Sequence, residues 1–378
     1  MTANPRRQHM EPVRSVVVKL GSNVLCDDAG VLQQDRIDAV ADQVADLKDR
    51  GLRVAVVSSG AIAAGVGEMD LDQRPDDLPR LQACAAIGQA KLMMRFDAAL
   101  RRRGRHAAQI LLVRGDVEDR SRYLNIRNCI AALQSYGAVP VVNENDTVSV
   151  DEIRFGENDL LAAMVTNLLR ADLLVLLTTV DGVFRDADRR DRFDVVESFA
   201  EVKAAVDGSQ SSLGSGGMAT KLEAAALVVA AGDMAAIADG RRENVLPDLL
   251  AGESVGTLFV PAVDSAAGAG KMTARHRWIG LTRRARGKLV IDAGAARAVR
   301  GRKSLLASGV TAVEGRFEPG DVVAVAGPDG TLIAQGLTNY ASGDVEKIKG
   351  LKSSQFKDVL GDRPYDEVIH ADNLVVTG

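Results

Sequence analysis

From Val16 onward, short runs of consecutive apolar residues alternate with amphipathic stretches of helical period. The first four are VVVKL, IDAVADQVADLKDR closed by Gly51, RVAVV, and LQACAAIGQAKLMMRFDAAL. Within the first amphipathic stretch Ile37, Val40, Val44 and Leu47 recur at helical spacing. The alternation continues through QILLV, a helix around Asn125 to Tyr136, VPVV, a helix from about Asn158 to Leu169, LLVLL, and a helix from Lys221 to Ala231. Strands with no polar face have to be covered on both sides, which is the requirement of a parallel sheet between two helical layers.

Composition sets the outer limits. The chain has 378 residues, 46% of them apolar, and 47 Lys and Arg against 51 Asp and Glu give a net charge of −4, so it is neither a disordered chain nor a polycation built to coat nucleic acid or membrane. Three widely spaced cysteines, Cys26, Cys84 and Cys129, match neither a disulfide framework nor a zinc pattern and predict a reducing compartment. The opening MTANPRRQHM lacks the apolar core of a signal peptide, and the longest apolar stretch, from Ala224, is broken by Gly232 and Asp233. A cytoplasmic protein with no membrane span is expected.

After about Pro261 the pattern changes. VDSAAGAGK reads as a linker, and GKLVIDAGA, GVTAVEG and DVVAVAGPDGTLIAQG read as short strands, with Gly-Pro-Asp-Gly as a hairpin turn. A second, smaller domain, β-barrel-like with one or two helices, is expected from about Lys271.

Four loops carry the candidate chemistry, and they stand where strands end or helices begin, the edge at which open parallel sheets bind ligands. In VVVKLGSN a buried strand delivers Lys19 to Gly21 and Ser22, whose small side chains leave backbone N–H groups open to a phosphate; a strand-end lysine and a turn glycine would look the same. In VVSSGAIAAG, Ser58, Ser59 and Gly60 follow the second strand, and Gly60 and Gly65 suit either a substrate or tight packing. SLGSGGMATKLEAA opens a helix in which Thr220 and Glu223 have capping-box spacing, while Lys221 in the first turn opposes the helix dipole. In VPVVNENDTVSVDEIRFGENDLLAAMV, Asn143, Glu144, Asn145 and Asp146 follow a strand and Asn158 and Asp159 open a helix, a set able to hold an ammonium and a carboxylate; Asn158 as a helix cap is the alternative. GxxxxGK[ST] is absent, GAGKMT having Met272 at the hydroxyl position, and no GxGxxG follows the first strand.

KLGSNVL, SSGAIAAG, AAIGQAKLM, PVVNENDTV, FGENDLLAA and SGGMATK, in that order and spacing, resemble the glutamate 5-kinases of the amino-acid kinase family over Val16 to Phe259, and the segment from Arg275 resembles a PUA domain. The resemblance implies an α/β/α sandwich with a mainly parallel sheet over residues 14–260, a linker at 261–274 and a PUA-like domain at 275–378. It implies ATP- and Mg²⁺-dependent phosphorylation of the γ-carboxylate of L-glutamate to L-glutamyl 5-phosphate, the first step of proline biosynthesis. By motif match, Lys19 and Lys221 stabilise the transferring phosphoryl group and Asp159 orients them. Ser59, Asp146 and Asn158 bind glutamate. Lys19, Thr178, Thr179, Ser215, Gly216, Gly217, Met218, Ala219, Thr220 and Lys221 bind the nucleotide, with Thr179 standing where the family often has Asp and Ser215 where it often has Thr. No metal ligand is indicated. Proline as feedback inhibitor, a homo-oligomer, and a glutamyl phosphate reductase as partner are further implications. PUA domains elsewhere bind RNA, and Lys271 to Lys303 is strongly basic, but the chain's net charge and its single tryptophan, Trp278, favour a solvated basic face.

Overall fold

The computed structural model describes residues 4–27, 31–148, 157–186, 188–202, 217–262, 272–277, 279–280, 285–361 and 365–376. The chain divides into two compact units, Met1–Lys271 and Met272–Gly378.

The elements of the first unit, in chain order, are α1 (Pro5–Met10), β1 (Ser15–Leu20), α2 (Ser22–Leu25), α3 (Gln34–Asp49), β2 (Arg53–Val57), α4 (Ala61–Glu68), α5 (Leu78–Arg101), β3 (Ala107–Leu112), α6 (Arg114–Glu118), α7 (Arg120–Ser135), β4 (Val139–Glu144), α8 (Glu157–Leu169), β5 (Leu173–Thr178), β6 (Val195–Val196), α9 (Gly217–Ala230), β7 (Met234–Asp239), α10 (Val245–Leu250) and β8 (Thr257–Phe259). They build an eight-stranded sheet in the order β3-β4-β2-β1-β5-β7-β8-β6. All pairings from β3 to β7 are parallel, whereas β8 runs antiparallel to β7 and carries β6 parallel to itself. The parallel sheet and its covering layers are as the alternation predicts.

Strand β1 lies at the centre and is buried along its whole length. Because side chains alternate across a strand, Val16, Val18 and Leu20 enter the core shared with α3, α5 and α10, and Val17 enters the core shared with α8 and α9. Lys19 has the parity of Val17, so it belongs to the α8 and α9 face. Strand β1 pairs with β2 on one side and with β5 on the other, and the chain crosses from the first side to the second between β4 and β5, which makes β1 the switch point of the sheet.

AIAAGVGE forms helix α4 although two glycines disfavour it. The reason is a close crossing of helices: a Cβ on Gly65 would lie 1.9 Å from the Cys84 carbonyl oxygen, and a Cβ on Gly88 would lie 1.9 Å from the Ala61 carbonyl oxygen. Packing at backbone distance supplies what helix propensity withholds.

In the second unit, helix α11 (Ala274–Arg277) precedes β9 (Gly287–Ile291), α12 (Ala293–Arg300), β10 (Val310–Gly315), β11 (Val322–Ala326), β12 (Leu332–Leu337), α13 (Ser342–Ile348), α14 (Phe356–Leu360) and β13 (Leu374–Val376). The strands form a five-stranded sheet, β10-β9-β11-β12-β13, and β11 and β12 make the expected antiparallel hairpin around Gly327 to Gly330. With α11 to α14, the described residues contain more helix than the one or two expected. Most of the expected linker and Trp278 lie outside the described residues.

Candidate active site

The C-terminal ends of β4, β2, β1, β5 and β7 line up along one edge. Val57 is level with Val142, Lys19 with Val57 and Leu176, and Thr178 with Asp239. Among the described residues, Ser58, Asn143 and Thr178 stand at or just past strand ends along this edge.

Asp159 sits in the first turn of α8 and is fully buried. Lys19 Nζ lies 2.6 Å from its Oδ1, and Lys221 Nζ lies 3.0 Å from its Oδ2. Lys19 and Lys221 are themselves only 5% and 8% exposed, so one carboxylate is shared by two ammonium groups away from water. Burial lowers the Lys19 pKa; the Asp159 carboxylate opposes that shift and the neighbouring Lys221 charge adds to it. The cluster carries one uncompensated positive charge, held in place before any anion arrives.

Lys221 also donates to the Gly217 carbonyl oxygen at 3.0 Å. Helix α9 starts at Gly217, so Met218, Ala219 and Thr220 lie in its first turn. This corrects the capping-box expectation. Thr220 is already inside the helix, and its hydroxyl donates to Asp159 Oδ2 at 3.0 Å instead of capping with Glu223. Ser215 and Gly216 lie outside the described residues.

On the other side of β1, Asn158 does not cap α8 with its side chain. Its Nδ2 donates to the Ser59 hydroxyl at 3.0 Å, to the Ser58 carbonyl oxygen at 3.2 Å and to Asn143 Oδ1 at 3.2 Å. Ser59, Asn143 and Asn158 therefore meet in one hydrogen-bonded group, although β2, β4 and α8 supply them separately. Asn158 Oδ1 is buried without a partner among the described residues. Gly60 follows at φ +97°, a left-handed conformation that suits glycine, and Ser22 of the first loop packs against it.

Asp146 lies in the turn after β4 and, among the described residues, does not join this hydrogen-bonded group. Burial raises its pKa to about 6, against the pull of Arg74. On the nucleotide side, Thr178 ends β5 and its carbonyl oxygen accepts from the Gly240 N–H at 2.8 Å, and the Thr179 carbonyl oxygen accepts from Arg241 Nη2 at 2.8 Å. Asp181 ties the same loop to Arg192 and to the Gly256 N–H.

One polar residue beside the site is missed by sequence reasoning. Gln89 of α5 is 8% exposed, and its Oε1 accepts from Asn143 Nδ2 at 2.7 Å. The signal was present in AAIGQAKLM, where a polar side chain follows a helical glycine in an apolar stretch.

No group of three or more His, Cys, Asp or Glu side chains suited to a metal ion occurs among the described residues. Both Asp159 oxygens already face lysine.

A model described as the amino acid kinase family matches residues 14–238, and a PUA domain model matches residues 287–360. A protein of Syntrophotalea carbinolica named glutamate 5-kinase is 43% identical over 377 residues, covering 98% of this chain and 99% of its own length. Another of that name, from Carboxydothermus hydrogenoformans, is 45% identical over 377 residues, with coverages of 98% and 99%. The solved carbamate kinase of Giardia covers 66% of this chain and 100% of its own, with a TM-score of 0.50 and 18% identity, a likeness of fold.

Proposed function

We infer, from a chain that belongs to the amino acid kinase family and, along nearly its whole length, to the glutamate 5-kinases within it, how the aligned strand ends carry out the reaction. The protein is a phosphotransferase that uses ATP to phosphorylate glutamate, the first step of proline biosynthesis.

The observation that carries the mechanism is the Lys19–Asp159–Lys221 cluster. The γ-carboxylate of glutamate, with an ordinary pKa of about 4.3, is already ionised at neutral pH, so no general base is needed. The obstacle is repulsion: two like unit charges 4 Å apart cost about 4 kcal/mol at an effective dielectric of 20. In this reading Lys19 and Lys221 receive the phosphoryl oxygens, and Asp159 keeps both lysines ordered while leaving a net positive charge. Catalysis is then positioning and charge neutralisation, as expected for phosphoryl transfer.

Ser59 and Asn158 hold the acceptor, with Asn158 Oδ1 as acceptor for the glutamate ammonium, and Asp146 supplies a carboxylate to the same end. Thr178, Thr179 and the start of α9, with Ser215 and Gly216 before it, hold the nucleotide. Mg²⁺ bound to the triphosphate would neutralise its β and γ oxygens. Residues 14–260 form the catalytic domain in this assignment, 261–274 the linker and 275–378 the PUA-like domain. Proline as a competing ligand, a homo-oligomeric assembly and a cytoplasmic location complete the proposal.

The test is ATP- and Mg²⁺-dependent formation of glutamyl hydroxamate in the presence of hydroxylamine, with aspartate, N-acetylglutamate and UMP as parallel acceptors for ADP release. Hydroxamate from glutamate, suppressed by proline, is the expected result. ADP release with another acceptor and none with glutamate would overturn it.

A further inference from the structure

We propose that Gln89 is a positioning residue of the acceptor pocket: its carbonyl oxygen fixes the Asn143 amide, and through it the Asn158 amide, in the orientation that glutamate binding needs. The inference rests on the glutamate reading above and extends it to a residue outside the strand-end loops.

The hydrogen bonds have a fixed direction because one of their donors cannot turn over. The backbone N–H of Glu144 donates to Asn143 Oδ1 at 2.9 Å. A backbone N–H is only ever a donor, so Asn143 has its oxygen on that side and its Nδ2 on the other. Nδ2 then requires an acceptor, and Gln89 Oε1 meets it at 2.7 Å. Asn143 Oδ1 also accepts from Asn158 Nδ2 at 3.2 Å, which leaves Asn158 Oδ1, buried and without a partner among the described residues, as the acceptor the group has to offer. Turning Gln89 or Asn143 over would set donor against donor, and turning Asn158 over would set its oxygen against the Ser58 and Asn143 oxygens.

Gln89 reaches this position because of the glycine crossing. Gly88, its neighbour in α5, lies against the Ala61 carbonyl oxygen and the Gly65 N–H group of α4, with no room for a Cβ. Helix α5 is thereby held at backbone distance from the helix that follows Ser58 and Ser59, and the next residue faces β4. Gln89 Nε2 is buried with no hydrogen-bond partner among the described residues. An unpaired buried donor is unfavourable, so an amide retained there acts through its one paired atom. A methionine would fill the same space at no such cost, but it would leave Asn143 Nδ2 without an acceptor.

The test uses the full chain and hydroxamate formation, with Gln89→Met, Asn143→Ala, the double variant and Gln89→Glu beside the wild type, and thermal unfolding as a check on folding. Gln89→Met is expected to raise the KM for glutamate about tenfold, the loss of one hydrogen bond to a positioned group, and to leave the KM for ATP unchanged. In the Asn143→Ala background the same substitution is expected to add no further change, because Gln89 acts through Asn143. Gln89→Glu keeps an oxygen toward Asn143 Nδ2 and is expected to stay within about threefold of the wild-type KM. An unchanged glutamate KM in Gln89→Met, an equal factor in both backgrounds, or a tenfold rise in Gln89→Glu would each overturn the inference while wild-type turnover upheld the glutamate reading. No hydroxamate from the wild type would overturn both.

Discussion

Asn158 and Asp159 are consecutive residues of one helix, yet they serve opposite halves of the site. Asn158 reaches Ser59 at 3.0 Å after β2, and Asp159 reaches Lys19 at 2.6 Å at the end of β1. Successive helical residues point about 100° apart, so the first turn of α8 holds Ser59 and the two lysines in one rigid relation.

Removing a lysine and removing the carboxylate between the lysines have different expected outcomes. Lys19→Ala or Lys221→Ala leaves Asp159 with one lysine and the Thr220 hydroxyl, so the fold persists while kcat falls by about a hundredfold to a thousandfold, the cost of losing one preorganised charge. Asp159→Asn leaves two buried ammonium groups uncompensated, and a stability loss of about 3–5 kcal/mol is expected. Denaturant unfolding beside kinetics separates the two; normal turnover by either lysine variant would remove that lysine from the mechanism.

Lys19 has a lowered pKa because it is buried, so its positive charge is lost at lower pH than that of an exposed lysine. Activity should therefore decline on the alkaline side as pH rises through that lowered value. Lys19→Arg, charged throughout, should turn over more slowly but lose this limb. A pH profile of kcat for the two proteins decides the matter, and identical limbs would assign the titration elsewhere.

Asp146 titrates near pH 6 because burial disfavours its charge. If it meets the glutamate ammonium, it has to be ionised when glutamate binds. The sign follows: affinity is constant above about pH 6 and weakens by about tenfold per unit below it, and binding near pH 6 releases a proton. Calorimetry of glutamate binding between pH 5 and 8 measures both. Asp146→Asn should bind weakly with no such slope.

Gly88→Ala should destabilise the protein by about 1–3 kcal/mol or more, since the added methyl group meets backbone and not a movable side chain. At Gly115 of α6 an added methyl group would meet nothing within 4 Å, and Gly115→Ala should be neutral or stabilise by up to about 1 kcal/mol. Thermal unfolding of the pair checks the crossing of α4 and α5.

Much of this is legible in the sequence because a strand buried on both faces leaves a continuous apolar run, as VVVKL, VPVV and LLVLL do. The motifs place Lys19, Ser59, Asn158, Asp159 and Lys221 at strand ends and helix starts, and the structure brings those five into two adjoining groups. What the sequence hides is contact between distant segments. Thr220 has the spacing of a cap, but α9 begins at Gly217, which turns its hydroxyl to Asp159. AIAAGVGE looks unfit for a helix until Cys84 is seen against Gly65. Gln89 reads as one polar residue on an apolar helix, and only the path of α5 over α4 shows what it faces. Nothing in the sequence singles out Arg6, which is buried against Asp194 and the carbonyl oxygens of Val255 and Gly256.

The central place of β1 divides the edge into two territories. Loops after β2 and β4 lie to one side, and loops after β5 and β7 to the other, with the lysine of β1 between them. Each territory can accumulate changes without crossing the other's strands. On the assignment proposed above, a lineage, or an engineer, can exchange the acceptor by rewriting the stretches around Ser59 and Asn143 while the phosphate grip stays as it is. The same scaffold thereby accommodates new acceptor chemistry one loop at a time.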